Sequence, residues 1–455
     1  MADLPPMRGT GALDLTAFLE GMDFSRFHVR LVILACCVTF FDGLDFGLIA
    51  YAAPYIRDEL QLSGDALGVV FSSGVAGQIV GSMLCAYVAD RIGRRPVLVF
   101  CTVAAALLTF AMGLAGNVEQ FIVLRFLGGI AIGGLLPVIW ALTIEAMPKS
   151  RRATVVALIM LGFSLGGSAS APLTNLIAPE HGWHWVYFAC GILTFAVALW
   201  LLVALPESAR FLASRGAPPE RIVPVLRRLH PGFDGRGVTS FHLSDERRVE
   251  GNFTPADLFR GPFAWITPLI WGAYFSSSVA AFLNASWGPI FLEELGVTRE
   301  GAALIGSVAG LLGAIASVLL LRVTEIRGPR WIAIFPLLAA PLLFLIGSGW
   351  LAHAMLVPAI FLGIVLMGGG HASVISITSI FYPSGIRSNA GGWASAVAKI
   401  GGVLGPIIGA QFVGDSQGVL RSFLLVSSCM LAIAFCVLAL ARFARGLEGS
   451  GRAGG

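Results

Sequence analysis

Two aspartates three residues apart, Asp42 and Asp45, interrupt a run that is otherwise apolar: Leu31 to Phe41 is broken only by Thr39, and Phe46, Leu48, Ile49 and Ala50 follow. Residues three apart share roughly one face of a helix. An ionised group at the bilayer centre costs about 2.5 to 3.5 kcal/mol even on lenient scales, so such carboxyls should face a cavity or a partner. Burial beside a like charge makes reversible protonation their characteristic chemistry. The competing role is structural, capping a helix broken around Gly43 and Gly47. Other polar residues stand out equally in apolar surroundings. Arg125 cannot realistically lose its proton. Lys399 is one of only two lysines in the chain and sits mid-span, where it could hold a substrate carboxylate or snorkel toward water. His371 in "GGGHAS" could donate to the same anion or be a satisfied packing residue. Asn284 and Trp287 in "FLNASWGPIF" offer an amide and an aromatic wall to a ring, with core packing the rival role for the Trp.

The elements that must position these residues follow from composition. Of 455 residues, 56% are hydrophobic and 12% charged, with a mean hydropathy of +0.84. Soluble domains carry about 25% charged residues, so a soluble globular protein is excluded. Helical spans need about 20 apolar residues, and twelve such stretches can be marked, too long and unbroken for barrel strands. The expected fold is therefore an all-α membrane protein of twelve transmembrane helices. The seven cysteines all lie in apolar runs without ligand spacing, so neither a disulfide framework nor a metal site is expected. The N-terminal residues lack the cationic and apolar regions of a cleaved signal. Arginines and Lys149 gather in alternate loops, whereas the opposite loops hold mostly acids such as Asp58, Glu59, Glu293 and Glu300. The positive-inside rule then puts both termini in the cytoplasm, and the charge of +4 reflects topology rather than affinity for nucleic acid.

Charges crowd between Pro206 and Pro262 and divide the chain into a cytoplasmic segment (1–28), six spans (29–205), a solvated cytoplasmic linker (206–263), six more spans (264–441) and a tail (442–455). The two six-span units are copies. Asp90, Gly93 and Arg95 of "ADRIGRRP" correspond to Glu325, Gly328 and Arg330 of "TEIRGPRW" at a constant separation of 235, as do Pro148 and Arg152 with Pro383 and Arg387, and Gly166 and Gly167 with Gly401 and Gly402. Parallel repeats around a midplane site are the plan of many secondary transporters. Charges that obey the repeat, Asp90, Arg95, Arg152, Glu325, Arg330 and Arg387, together with Arg91 and Glu145, fit a cytoplasmic gate. Asp42, Asp45, Arg125, His371 and Lys399 break it, being matched by Ser277, Ala280, Ile360, Leu136 and Ser164, so symmetric packing does not require them.

"ADRIGRR", "RFLGGIAIGG", "EAMPKSRR" and "LPESAR" together resemble the major facilitator superfamily over nearly the whole chain, and "DGLD" in the first span narrows the resemblance to its aromatic acid:H⁺ symporters. One position departs from the family's loop motif, Ala86 standing where Gly is usual. The resemblance implies two pseudo-symmetric six-helix bundles that rock for alternating access and import benzoate-like carboxylates across a bacterial inner membrane. It also implies that Asp45 pairs with Arg125, as in related sugar porters, and that protonation releases the arginine. The expected reading is a proton-coupled importer: Asp42, Asp45 and Arg125 couple protons, while Lys399, His371, Asn284 and Trp287 bind the anion. It needs no cofactor, is no enzyme and works as a monomer in the bilayer. The alternatives are a sugar or non-aromatic anion porter of the same superfamily and, more remotely, a sensor of aromatic acids.

Overall fold

In the computed structural model, which describes residues 11–244, 255–261, 263–382, 384–414 and 416–452, twelve helices are long and apolar enough to cross a membrane. They are α1 (Arg26–Leu60), α2 (Gly64–Ile92), α3 (Arg94–Met112), α4 (Val118–Ala146), α5 (Lys149–His181), α6 (Trp183–Ala204), α7 (Phe263–Glu294), α8 (Arg299–Arg327), α9 (Pro329–Gly347), α10 (His353–Ile375), α11 (Asn389–Phe412) and α12 (Gln417–Phe443). Large apolar side chains such as Val203, Leu176 and Phe100 are exposed on their outer faces, as lipid contact requires. An even number of spans returns the chain to the membrane face on which it began, called here the terminus face.

The repeat is legible in backbone detail. Helix α2 is capped by Ser63, whose hydroxyl accepts from Ala66 N, and α8 by Thr298, whose hydroxyl accepts from Gly301 N, each pair 235 positions apart. The α2–α3 and α8–α9 corners turn on Gly93 and Gly328 with φ of 111° and 96°, a region that glycine enters without a Cβ clash. In each half the first and fifth helices touch backbone to backbone. A Cβ on Gly166 would lie 1.8 Å from the carbonyl oxygen of Phe40, and one on Gly401 would lie 2.7 Å from that of Phe275. Helix α1 is accordingly unbroken through Gly43 and Gly47, which serve this approach instead: a Cβ on Gly43 would come within 2.0 Å of the Phe163 carbonyl oxygen. Pro383 and the side chain of Arg387 lie outside the described residues.

The linker departs from the solvated segment expected of its charge. Strand β1 (Ala12–Asp14) pairs in parallel with β2 (Ser240–His242). A short helix Leu15–Gly21 buries Leu15, Phe18 and Leu19 against Ile222, Leu226 and Leu229 of the linker helix Pro219–Leu229. The linker's charges sit on the outside of this small core, which is why its sequence looks fully solvated. The module belongs to the first half: Ser25 donates to the Leu229 carbonyl (3.3 Å), Arg152 meets Glu20 at 3.4 Å, and Arg215 donates to the Asp90 carbonyl at 2.6 Å.

Candidate functional site

The deepest charges lie inside the first half. Arg125 of α4 meets Asp45 of α1 at 3.1 Å, and Thr109 of α3 donates to the other carboxylate oxygen at 2.7 Å. Both charged residues are buried, with 6% and 4% of their surface exposed. Gly74 of α2 makes room for the guanidinium, since a Cβ there would stand 3.2 Å from Nε and Nη2. Among the described residues the buried hydroxyl of Tyr187 finds no hydrogen-bond partner, nor does Asp42 Oδ2. One face of α1 thus holds a buried ion pair and, one turn away, a carboxyl with an unanswered oxygen. Sequence reasoning did not identify Thr109, Gly74 or Tyr187. Threonines and glycines are common in membrane helices, so their types carried no signal.

The adjoining face of α1 lines the space between the halves. A cavity of about 250 Å³ is bordered by Phe46, Gly47 and Tyr51 of α1, Phe163 and Ser164 of α5, Asn284 of α7 and His371 of α10. Phe46 packs on Phe163 (6.0 Å between ring centroids) and edge-on against Phe282 of the other half (5.7 Å). Ser277 and His371 Nδ1 are 2.8 Å apart, which leaves Nε2 as the ring nitrogen free to meet a ligand. The site is aromatic on one side and polar on the other, and helix α1 separates it from the Asp45–Arg125 pair.

Two residues expected at this site lie elsewhere. Trp287 is fully buried, donates to the Pro406 carbonyl at 2.8 Å and meets Phe71 edge-on at 5.1 Å. It packs the seam and does not line the cavity, because its indole reaches Pro406 of α11 and Phe71 of α2. Lys399 does not line the cavity that His371 borders. Its ammonium donates to Ser82 of α2, and it borders a separate cleft of about 470 Å³ with Asn389, Trp393 and Ser82, where α2 and α11 part toward the terminus face.

Among the described residues the ion pairs across the halves lie at the opposite face. Arg299 at the start of α8 pairs with Glu293 (3.1 Å) and with Asp58 at the end of α1, Arg57 approaches Glu294 (3.9 Å), and Asn175 donates to the Glu300 carbonyl (3.2 Å). The proposed gate charges at the terminus face pair within their own halves. Arg94 meets Asp90 (3.1 Å) and Glu145 (3.0 Å), and Arg322 meets Glu325 at 3.0 Å. Arg95 donates to the Leu202 carbonyl at 2.8 Å, and Arg91 lies over the Tyr87 ring. Arg330 follows Gly328 at the α8–α9 corner. Among the described residues Asp90 and Glu325 thus pair with nearby arginines of their own halves in this state, in which the α2–α11 cleft parts the terminus face. Glu207 of "LPESAR", assigned no role from sequence, accepts from the backbone N–H groups of Arg94 (3.1 Å) and Arg95 (3.2 Å) at the start of α3, where a carboxylate also meets the positive end of the helix dipole.

The closed face gives a first prediction. Arg299→Gln removes the charge that ties α8 to α1 in this state, and if that tie breaks when the face opens, the population should shift toward the state open at that face. Exposed pairs contribute up to about 1 kcal/mol, so a single cysteine at Val413, which packs near Gly64, should label about threefold faster in a cysteine-free background. Equal labelling rates would leave Arg299 a surface charge without a latching role.

The Major Facilitator Superfamily profile matches residues 35–406 of the chain. The chain is 29% identical over 411 residues to the 4-hydroxybenzoate transporter PcaK of Pseudomonas aeruginosa, covering 90% of this chain and 92% of that one. It is 30% identical over 404 residues to PcaK of Pseudomonas putida (89% and 90%), and 28% identical over 428 residues to a gallate transporter of Pseudomonas putida (94% and 95%). Among solved structures, the xylose transporter XylE from E. coli in a partially occluded inward open conformation superposes with a TM-score of 0.69 at 18% identity, covering 90% of this chain and 97% of that one. A bacterial homolog of the human lysosomal transporter Spinster, inward-facing, gives 0.69 at 16% identity (92% and 97%). These likenesses between structures concern the fold alone.

Proposed function

Since the chain belongs to the Major Facilitator Superfamily, with the match spanning both halves, we propose that it is a proton-coupled secondary transporter that imports an aromatic carboxylate by alternating access. The observation that carries this reading is the central cavity, where Phe46, Tyr51 and Phe163 offer ring surfaces opposite Asn284 and His371. Relatives that transport 4-hydroxybenzoate and gallate support the substrate class. The distribution of cations supports placing the terminus face in the cytoplasm of a bacterial cell, which makes the parted state inward-facing.

Helix α1 carries the coupling. A proton arriving from outside binds Asp45, whose carboxyl then no longer holds Arg125 as an ion pair, and Asp42 serves as a neighbouring proton site. The change alters how α1 seats against α3 and α4, and the adjoining face of the same helix, with Phe46, Gly47 and Tyr51, forms the cavity wall. Ring and carboxylate bind there, the halves rock, and the proton leaves to the cytoplasm as Arg125 reclaims Asp45. Lys399, in the α2–α11 cleft, attracts the anion along the path to the cavity. Asp90, Glu145, Glu325 and the nearby arginines exchange partners as the cytoplasmic ends close. A monomer holds the complete cavity.

The test is a comparison of ligands. Thermal-shift titration with 4-hydroxybenzoate and its neutral amide reports binding, because a ligand that prefers the folded state raises apparent stability. His371→Ala and Asn284→Ala should weaken both ligands about tenfold, the loss of a buried polar contact. Lys399→Ala should weaken the carboxylate more than the amide. If neither ligand, nor any hydroxybenzoate, shifted the parent protein while a hexose did, the aromatic acid assignment would be overturned.

A further inference from the structure

We propose that the groove between α1, α6 and the linker at the terminus face is a binding site for an anionic phospholipid. It encloses about 910 Å³ and is bordered by Arg26 and Arg30 of α1, Arg227 and Arg228 of the linker helix, and, deeper toward the membrane, Leu31, Leu34, Trp200 and Ala204. All four arginines are exposed, and among the described residues none forms an ion pair with a carboxylate. That sets them apart from their neighbours on the same face: Arg94, Arg152 and Arg322 each hold a carboxylate, and Arg95 and Arg215 each hold a carbonyl. Two sequence-distant segments therefore aim four uncompensated cations into one space.

The chemistry of the walls chooses the occupant. Guanidinium groups bind phosphate oxygens through paired N–H donors, and a basic pocket at the membrane edge is suited to an anionic headgroup. A free phosphate would use the arginines alone, whereas this groove continues along the apolar surface of α1 and α6. There Trp200, 43% exposed, stands where an indole prefers the interface. Acyl chains would run down that surface while the phosphate stays level with Arg30 and Arg227. The bound lipid would join α1 to the linker helix, adding to the direct Ser25–Leu229 hydrogen bond a contact that depends on membrane composition.

Native mass spectrometry of the full-length protein, titrated in detergent with phosphatidylglycerol or phosphatidylcholine, tests this. The parent should retain phosphatidylglycerol in preference to phosphatidylcholine. Arg26→Gln with Arg30→Gln, and separately Arg227→Gln with Arg228→Gln, should each weaken the anionic lipid by more than tenfold, taking about fivefold per arginine, without changing retention of phosphatidylcholine. A control carrying Arg151→Gln, Arg221→Gln and Arg236→Gln, exposed arginines outside the groove, should keep the preference. Millimolar inorganic phosphate should not displace the lipid. The proposal is overturned if both double variants keep the parent's preference, if the control loses it equally, or if phosphate competes, which would mark a site for free anions. The two double variants disturb different segments, so misfolding of one leaves the other informative. The readout is independent of transport.

Discussion

Asp45→Asn should abolish uphill accumulation of substrate driven by an imposed pH gradient in proteoliposomes while leaving substrate exchange partly intact. The reason is geometric. Asp45 has Arg125 on one oxygen and Thr109 on the other, so an amide can occupy the same space but cannot take up and release the proton. Leaving Arg125 buried without its counter-charge costs about 3 to 5 kcal/mol, so the single variant should also lose stability. Asp45→Asn combined with Arg125→Gln removes that penalty and separates the two effects: the pair should regain thermal stability and remain uncoupled. Undiminished uphill uptake by either variant would remove Asp45 from the coupling role.

Gly166→Leu should leave little folded protein. Even the first carbon of a side chain at 166 would fall 1.8 Å from a backbone oxygen of α1, whereas a Cβ at the adjacent Gly167 meets its nearest neighbour, the Gly43 carbonyl oxygen, at 3.5 Å. The contact at 166 is with main chain, which has no rotamer to give way, so α1 and α5 would have to separate along their length. Overpacking commonly costs about 1 to 3 kcal/mol, and here the displaced partner is the helix bearing Asp42 and Asp45. Gly167→Ala is the matched comparison and should keep a monodisperse profile in size-exclusion chromatography with a near-parental Tm. Equal behaviour of the two variants would show that the α1–α5 approach is looser than described.

The architecture was legible in the sequence because its signals are long and repeated: twelve apolar stretches, and a 235-residue offset that the structure repeats down to the caps Ser63 and Thr298. Asp42, Asp45 and Arg125 were legible because a charge in an apolar run is conspicuous whatever surrounds it. What was hidden depends on which way a side chain leaves its helix. Lys399 and His371 both read as anion ligands, yet one reaches across to α2 and the other faces the central cavity. Trp287 reads as a ring-stacking wall and is seam packing. Phe46, Tyr51 and Phe163, which line the cavity, look in sequence like the 31 phenylalanines and 6 tyrosines among which they are scattered. The linker's fold had a signal that its charges masked: Ile222, Leu226 and Leu229 recur at helical spacing, as do Leu15, Phe18 and Leu19.

The parallel pairing of Ala12–Asp14 with Ser240–His242 has a consequence for the order of events in synthesis. The first strand leaves the ribosome more than 200 residues before its partner exists, and chains emerge at about 5 to 20 residues per second, so it waits on the order of ten seconds or longer. During that time all six helices of the first half are made. The Glu20–Arg152 contact can form once α4 has returned the chain to its starting face, whereas the Ser25–Leu229 contact must wait for α6 to do so again. A nascent chain with one helix missing would deliver the linker to the other side of the membrane, leaving Leu15, Phe18 and Leu19 without their partners Ile222, Leu226 and Leu229. The small β pair can therefore close only on a first half whose chain has come back to the face on which it began.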